Sequence, residues 1–506
     1  MTDEPLVFGT AGLRGPMRDG PGGMNVETVT RATWGLGTVL RDRGLGGSTV
    51  IVGRDARHQS DDFAIATAEV LAGHGFSVVL LPDPAPTPVL AYAVRERSAV
   101  AGVQITASHN PAADNGYKVF GEGGMQIVGP TDREIETAMA RAPVAVDRAE
   151  VDPVGTELIH SYVRRAATVR RTDGDVRVAL TAMHGVGGEV ALQVLHEAGI
   201  RDVHVVAEQF APDPDFPTVS FPNPEEPGAT DLLLALAADK DADVAIALDP
   251  DADRCAVGIP TDTGWRMLSG DETGWLLGDY VLSQLGSGMA ANCVVASTVV
   301  SSRMLAAIAA AHRATHVETL TGFKWLARAD SDLPGKTLVY AYEEAIGHCV
   351  DPSAVRDKDG ITAAVLACDL VAALRRDGGT VPDALAMLFR RHGVHATGAV
   401  SRRFDDVDEA RSVMARLRES PPAELMGHAL TVDDLAQRSG QQQTDALVLS
   451  GGDAVTSVRV VVRPSGTEPK LKSYLEVRLA PRDDVAAATA EAEGLLAAMV
   501  EAVRGW

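Results

Sequence analysis

The stretch AVAGVQITASHNPAADNGYKVF, residues 99–120, decides the fold class. Its first part, AVAGVQIT (99–106), reads as an apolar strand. The following TASHNPAADNGYKVF (106–120) is rich in turn formers. An apolar strand ending in such a loop is where open α/β sheets place ligands. Ser108 and His109 stand at that point, and Lys118 can return to it through the Asn115-Gly116 turn. No G-x-S-x-G elbow surrounds Ser108, which disfavours an α/β-hydrolase. A Ser beside a His is common by chance and is not triad geometry.

Upstream, VIVGRD (50–55) reads as a buried strand, FAIATAEVLAGHG as a helix and SVVLLP (77–82) as the next strand. This is βαβ rhythm, and a largely parallel sheet is expected. The rhythm recurs in DVRVALTAMHGVGG (175–188) with DVAIALDPDADR (243–254), and again in NCVVAST (292–298) with TLVYAYEEAIG (337–347). Between them APDPDFPTVSFPNPEEPGA (211–229) is Pro-rich and must be a loop. After residue 394 the strands HATGAVSRRFDD, ALVLSGGD, SVRVVVRPSGTEP and KSYLEVRL suggest an antiparallel α+β unit, closed by an amphipathic helix. The expected domains are 1–152, 153–264, 265–393 and 394–506.

At 506 residues the chain is too long for one hydrophobic core. A net charge of −23 repels nucleic acid and anionic membrane, so any phosphate site must be a local cluster of cations or N–H groups. Aromatics at 4% give no base-stacking platform. Cys255, Cys293, Cys349 and Cys368 form no C-x-x-C pair, which argues for free thiols rather than zinc or disulfides. MTDEPLVF lacks the regions of a signal peptide, and no apolar run spans a bilayer, so a cytoplasmic location is the default. Only seven of the 46 basic residues are lysines, and four of them (Lys118, Lys324, Lys470 and Lys472) fall in the motifs described here. Lysine can give up its proton where arginine cannot.

Five motifs carry chemistry. In DPDADR, Asp249, Asp251 and Asp253 share one face of an extended loop and can converge on a hard cation such as Mg²⁺. An EF-hand fails, because Arg254 and Pro260 stand where Gly and Glu are required; an acidic turn is the bland alternative. GTAGLRG (9–15) offers a close backbone approach to a phosphate and the fork of Arg14, or simply a tight turn. RPSGTEPKLK (463–472) supplies Arg463, Ser465, Gly466, Thr467 and Lys470, the inventory of a phosphate clamp or of a polar hairpin. YEEAIGH (342–348) places Glu343, Glu344 and His348 where they can bind sugar hydroxyls or act as acid and base, with Lys324 of TGFKW (321–325) as a partner. The fifth is the Ser108 loop. Together they indicate phosphosugar chemistry.

The order GTAGLRG, TASHNP, DPDADR, EEAIGH and RPSGTEPK resembles the α-D-phosphohexomutase superfamily over nearly the whole chain. FGTAGLRG, TGFKW, EEAIG and KDGI are similar to the branch holding the phosphoglucomutase-2/phosphopentomutase proteins and related bacterial phosphomannomutases. The resemblance implies three related α/β domains with mixed sheets and a TATA-binding-protein-like α+β domain around a central cleft. It implies that Ser108 carries a phosphoryl group, which joins Asp249, Asp251 and Asp253 as a ligand of Mg²⁺. Arg254 then contacts that phosphate, Arg14 lies near it, and His109 and Lys118 move protons. Glu343 binds the sugar with Lys324 and His348 as helpers, while Arg463, Ser465, Gly466, Thr467 and Lys470 grip the phosphate not in transit. The implied reaction moves a phosphoryl group between C1 and C6 of a glucose or mannose phosphate through a sugar bisphosphate, which also serves as activator. Ala345 stands where many such enzymes have Ser, so ribose or deoxyribose phosphate is the alternative substrate. A phosphatase and a non-catalytic phosphosugar-binding protein are the other classes. Oligomeric state is not readable from these residues.

Overall fold

The computed structural model describes residues 5–9, 12–286, 288–404, 406–464 and 470–506. The chain divides into two compact units. The first comprises Met1–Thr273, Gly322–Arg328 and Leu338–Gly378, and the second Gly274–Thr321, Ala329–Thr337 and Gly379–Trp506. Among the described residues, no helix is long and apolar enough to cross a membrane.

The first unit holds two five-stranded sheets. One contains β1 (Leu13–Pro16), β2 (Thr49–Arg54), β3 (Ser77–Leu80), β4 (Ala101–Ile105) and β5 (Asp114–Gly121), in the order β1-β5-β4-β2-β3. The other contains β6 (Arg177–Thr181), β7 (Asp202–Val205), β8 (Val244–Leu248), β9 (Cys255–Thr261) and β10 (Gly264–Met267), in the order β10-β9-β8-β6-β7. The two orders are the same once each sheet is read from its first parallel strand.

These sheets are mixed, as the resemblance implies, rather than largely parallel as the βαβ rhythm suggests. β2 runs parallel to β3 and β4, but β5 is antiparallel to both β4 and β1. Likewise β6 is parallel to β7 and β8, while β9 is antiparallel to β8 and β10. The reason is connection length. A parallel return needs a crossover of a dozen or more residues. The loop between Ile105 and Asp114 and the loop between Leu248 and Cys255 are both shorter, so each chain turns back beside the strand it left. Helices Ser60–Gly73 and Thr87–Glu96 supply the long crossovers on the parallel side.

Every residue of β4 and β8 is buried, as expected for central strands covered on both faces. Val50, Val52, Phe63, Val103, Ile105 and Tyr117 form part of one core, and Ala179, Leu233, Ala245 and Ala247 part of another. Helix Gly360–Arg376 packs on β9 and on helix Gly187–Glu197. Asp359 caps it, accepting from the N–H groups of Ile361 at 3.1 Å and Thr362 at 3.0 Å.

In the second unit, strands Cys293–Thr298 and Thr315–Thr319 pair in parallel. The C-terminal sheet is antiparallel throughout, in the order Val394–Arg403, Lys470–Leu479, Thr456–Pro464, Leu447–Gly452, Thr431–Asp434. Helix Val485–Arg504 lies against its first two strands and buries Ala488, Ala492, Met499 and Val503. This is the α+β unit expected after residue 394. The Pro-rich segment 211–229 has neither helix nor strand.

Candidate active site

The two short return loops of the first unit occupy equivalent places, one after β4 and one after β8. The loop after β4 carries Ser108, which is 1% exposed and sits in the left-handed region at φ 54°. Its N–H donates to Thr106 Oγ1 at 2.9 Å, and its hydroxyl donates to Asp249 Oδ2 at 2.9 Å. Nδ1 of His109 lies 3.2 Å from the same hydroxyl.

The loop after β8 brings Asp249, Asp251 and Asp253 together, all fully buried, with a carboxylate oxygen of each within 4.8 Å of the others. The expected convergence is present, but not through an extended loop. The chain turns, with Ala252 at φ 54° and its N–H bonded to Asp249 O at 2.8 Å. Two glycines let neighbouring backbone press against this turn. A Cβ on Gly185 would lie 2.4 Å from Pro250 O, and one on Gly360 2.3 Å from Arg254 O.

Buried cations balance the carboxylates. Lys118 Nζ on β5 lies 2.6 Å from Asp251 Oδ2 and 2.8 Å from Asp253 Oδ2. Lys358 Nζ is 3.4 Å from Asp253 Oδ2, and Thr87 donates its hydroxyl to Asp251 Oδ2 at 2.6 Å. Arg254 reaches Asp253, Glu343 and Glu225 at 3.8–3.9 Å. Arg14 donates to Asn110 Oδ1 at 3.4 Å.

Burial and the charges on Asp251 and Asp253 push the Asp249 carboxyl well above the ordinary carboxylate range. Burial pushes Asp251 the same way, but Lys118 and Thr87 override it and hold that carboxyl low. Burial, then Arg254 and Arg14, hold the His109 imidazole well below its usual range, so the ring is neutral near pH 7. Burial also raises the Glu343 carboxyl, against the pull of Lys358 and Arg254.

The oxygen donors fit a hard divalent cation. Oδ1 of Asp251 and Oδ1 of Asp253 are buried without a hydrogen-bond partner, a costly state that a bound cation would relieve. Asp249, Asp251 and Asp253 could hold such an ion, with the Ser108 hydroxyl alongside.

Ser108, His109, Lys118, Arg14, the three aspartates, Arg254 and Glu343 thus come together in one unit. Glu343 ends the strand Thr337–Glu343 and is 6% exposed. Lys324 is half-buried, with Nζ 5.8 Å from the centre of the Trp325 ring. His348 is fully buried; Nδ1 is 3.1 Å from the Tyr340 hydroxyl, and Nε2 has no hydrogen-bond partner. Arg463 lies near the end of strand Thr456–Pro464 and Lys470 begins strand Lys470–Leu479, both in the second unit. Ser465, Gly466 and Thr467 lie outside the described residues. Sequence reasoning gave no role to Lys358 or Thr87. The rarity of lysine and its place in KDGI were the available signals for Lys358; Thr87, a helix-start threonine, offered none.

Four domain models of phosphoglucomutase/phosphomannomutase match the chain: α/β/α domain I over residues 5–144, domain II over 159–262, domain III over 269–391 and the C-terminal domain over 423–494. A probable phosphomannomutase of Haemophilus influenzae is 41% identical over 473 residues, 90% of this chain and 93% of that protein. A probable phosphoribomutase of Schizosaccharomyces pombe is 34% identical over 515 residues, 94% of this chain and 87% of that protein. The crystal structure of a putative phosphomannomutase from Thermus thermophilus shares the fold, with a TM-score of 0.72 at 24% identity over 98% of this chain and 99% of that one.

Proposed function

The chain belongs to the phosphoglucomutase/phosphomannomutase family, and from that premise we propose that it exchanges the phosphate of glucose or mannose between C1 and C6 through phosphorylated Ser108. That it is a phosphosugar mutase follows from the family. The sugar, the metal and the residue roles are the proposal.

Phosphoserine gives up its phosphoryl group by breaking the P–O bond to Ser108 while the free hydroxyl of the sugar phosphate forms the new one. The hydroxyl proton passes to a neighbouring base, for which the neutral His109 imidazole is suited. The resulting bisphosphate turns round, and its other phosphate returns to Ser108 by the same steps reversed, with Lys118 as the second proton-transfer group. Mg²⁺ on the three aspartates would neutralise charge on the phosphoryl group in transit. Arg254 and Arg14 supply further positive charge where phosphoserine adds about −1.5 to −2. Glu343 orients the sugar, assisted by Lys324; His348, fully buried and bonded to the Tyr340 hydroxyl, is closed to it. Arg463, Ser465, Gly466, Thr467 and Lys470 hold the other phosphate in either orientation. A sugar bisphosphate restores phosphoserine whenever it is lost. Four buried free cysteines favour a reducing, cytoplasmic setting.

The observation that carries this reading is the Ser108 hydroxyl, 2.9 Å from Asp249, whose carboxylate clusters with those of Asp251 and Asp253, each with one buried oxygen that lacks a partner. The test is incubation with glucose 1,6-bisphosphate and Mg²⁺, followed by mass spectrometry. Phosphate is expected on Ser108, and Ser108→Ala should lose more than about 10³-fold in mutase rate. Full activity in that variant would overturn the mechanism.

Ala345 favours a second reading, a phosphopentomutase acting on ribose or deoxyribose phosphate, because it lacks a hydroxyl for a hexose. Comparing kcat/KM for hexose and pentose 1-phosphates separates the two.

A further inference from the structure

The segment Asp55–Gln59, DARHQ, lies between β2 and the following helix and has no part in the chemistry described above. Within it Arg57 is 4% exposed, yet its guanidinium is not spent on a carboxylate alone. Nη2 donates to the carbonyls of Ser108 at 2.5 Å and Asn110 at 2.6 Å. Nη1 donates to those of Pro111 at 2.8 Å and Asp114 at 3.2 Å. A guanidinium has four N–H groups on its two terminal nitrogens, so four carbonyls of one loop match its capacity there.

The fork itself is held. Asp55 accepts from the Arg57 N–H at 3.0 Å and from the Ser60 hydroxyl at 2.6 Å, and its other oxygen is 3.3 Å from Arg57 Nε. The guanidinium carbon lies 4.9 Å from the centre of the buried Phe216 ring, which comes from the Pro-rich loop. Asn115, at the far end of the serine loop, donates back to His58 O at 2.9 Å and to Ser60 Oγ at 3.0 Å.

We propose that Arg57 is a positioning residue that shapes the serine loop, holding the Ser108 peptide in its left-handed conformation so that the hydroxyl points at Asp249. A non-glycine residue in that conformation carries a steric penalty, and the carbonyl it turns inward needs a donor. Arg57 supplies the donor. Lysine has the charge but neither the planar fork nor enough N–H groups for four carbonyls. The inference rests on the reading of Ser108 as phosphoryl carrier.

The test uses the full chain with Arg57→Lys, which keeps the buried charge, and Arg57→Ala. Hydrogen exchange of residues 106–116 should lose protection about tenfold in Arg57→Lys while the rest of the first unit stays unchanged. The mutase kcat should fall about 10²-fold, as for a reacting group displaced by an ångström. KM for the sugar phosphate should stay within about threefold, because Arg57 binds no substrate. Wild-type protection in that loop, a kcat within about threefold of wild type, or a loss confined to KM would each overturn the proposal. If Arg57→Ala does not fold, Arg57→Lys decides. Failure of wild-type Ser108 to take up phosphate would overturn the mutase reading instead, while the exchange result would still report on the loop.

Discussion

Lys118 shows how much one buried side chain carries. It bridges Asp251 and Asp253, and all three are inaccessible to water. Removing one partner of such a pair leaves uncompensated buried charge and costs about 3–5 kcal/mol. Lys118→Met is therefore expected to lose that much stability in the presence of a chelator, measured by urea unfolding. Mg²⁺ should restore more stability to the variant than it adds to wild type, because a cation on the triad takes over the lost countercharge. Equal Mg²⁺ responses would contradict this account. The aspartates were legible because their spacing is local and their chemistry specific. Lys358 was not, because its value comes from a contact with Asp253 about a hundred residues earlier in the chain.

Two return loops define the element scale. The strands around them were readable from apolar runs, and so were the crossover helices. Strand direction is not legible in the periodicity: alternation of strands and helices suggests parallel pairing, loop length forbids it after β4 and β8, and the mixed sheets were implied by the family resemblance alone. Those antiparallel returns let a strand end and the next strand's start frame one compact loop, and each loop carries half of the site. The turn at Asp249–Arg254 also depends on what presses against it. At Gly360 a side chain would meet backbone oxygens of Arg254 and Ala252, at 2.3 Å and 2.8 Å, which cannot swing aside. Gly360→Ala is expected to cost about 1–3 kcal/mol by overpacking. It should also weaken Mg²⁺ binding, read by thermal shift against added metal. Unchanged metal affinity would mean that the helix start does not support the loop.

Over the whole molecule, buried ionisable groups link stability to pH. His348 is the clearest case, because burial alone holds its pKa down, to about 3. The unfolded chain binds a proton at His348 below about pH 6.5, whereas the native state refuses it. Its contribution is therefore intact above that pH and is lost as pH falls toward 3, at about 1.4 kcal/mol per unit. His348→Phe should flatten the fall in apparent Tm between pH 6.5 and 4 relative to wild type. An identical slope in both proteins would show that the ring is protonated without penalty.

The first unit is not one continuous run of chain: it recruits Leu338–Gly378, which brings Glu343, Lys358 and helix Gly360–Arg376. On the ribosome this has a consequence in time. Ser108 and the three aspartates each emerge with their own sheet, but Lys358 is made about a hundred residues after Asp253, roughly 5–20 s later at ordinary elongation rates. During that interval the nascent chain carries an acidic loop without Lys358 and without the helix that will press on it. The aspartate turn is thus among the last parts of the unit to be sealed.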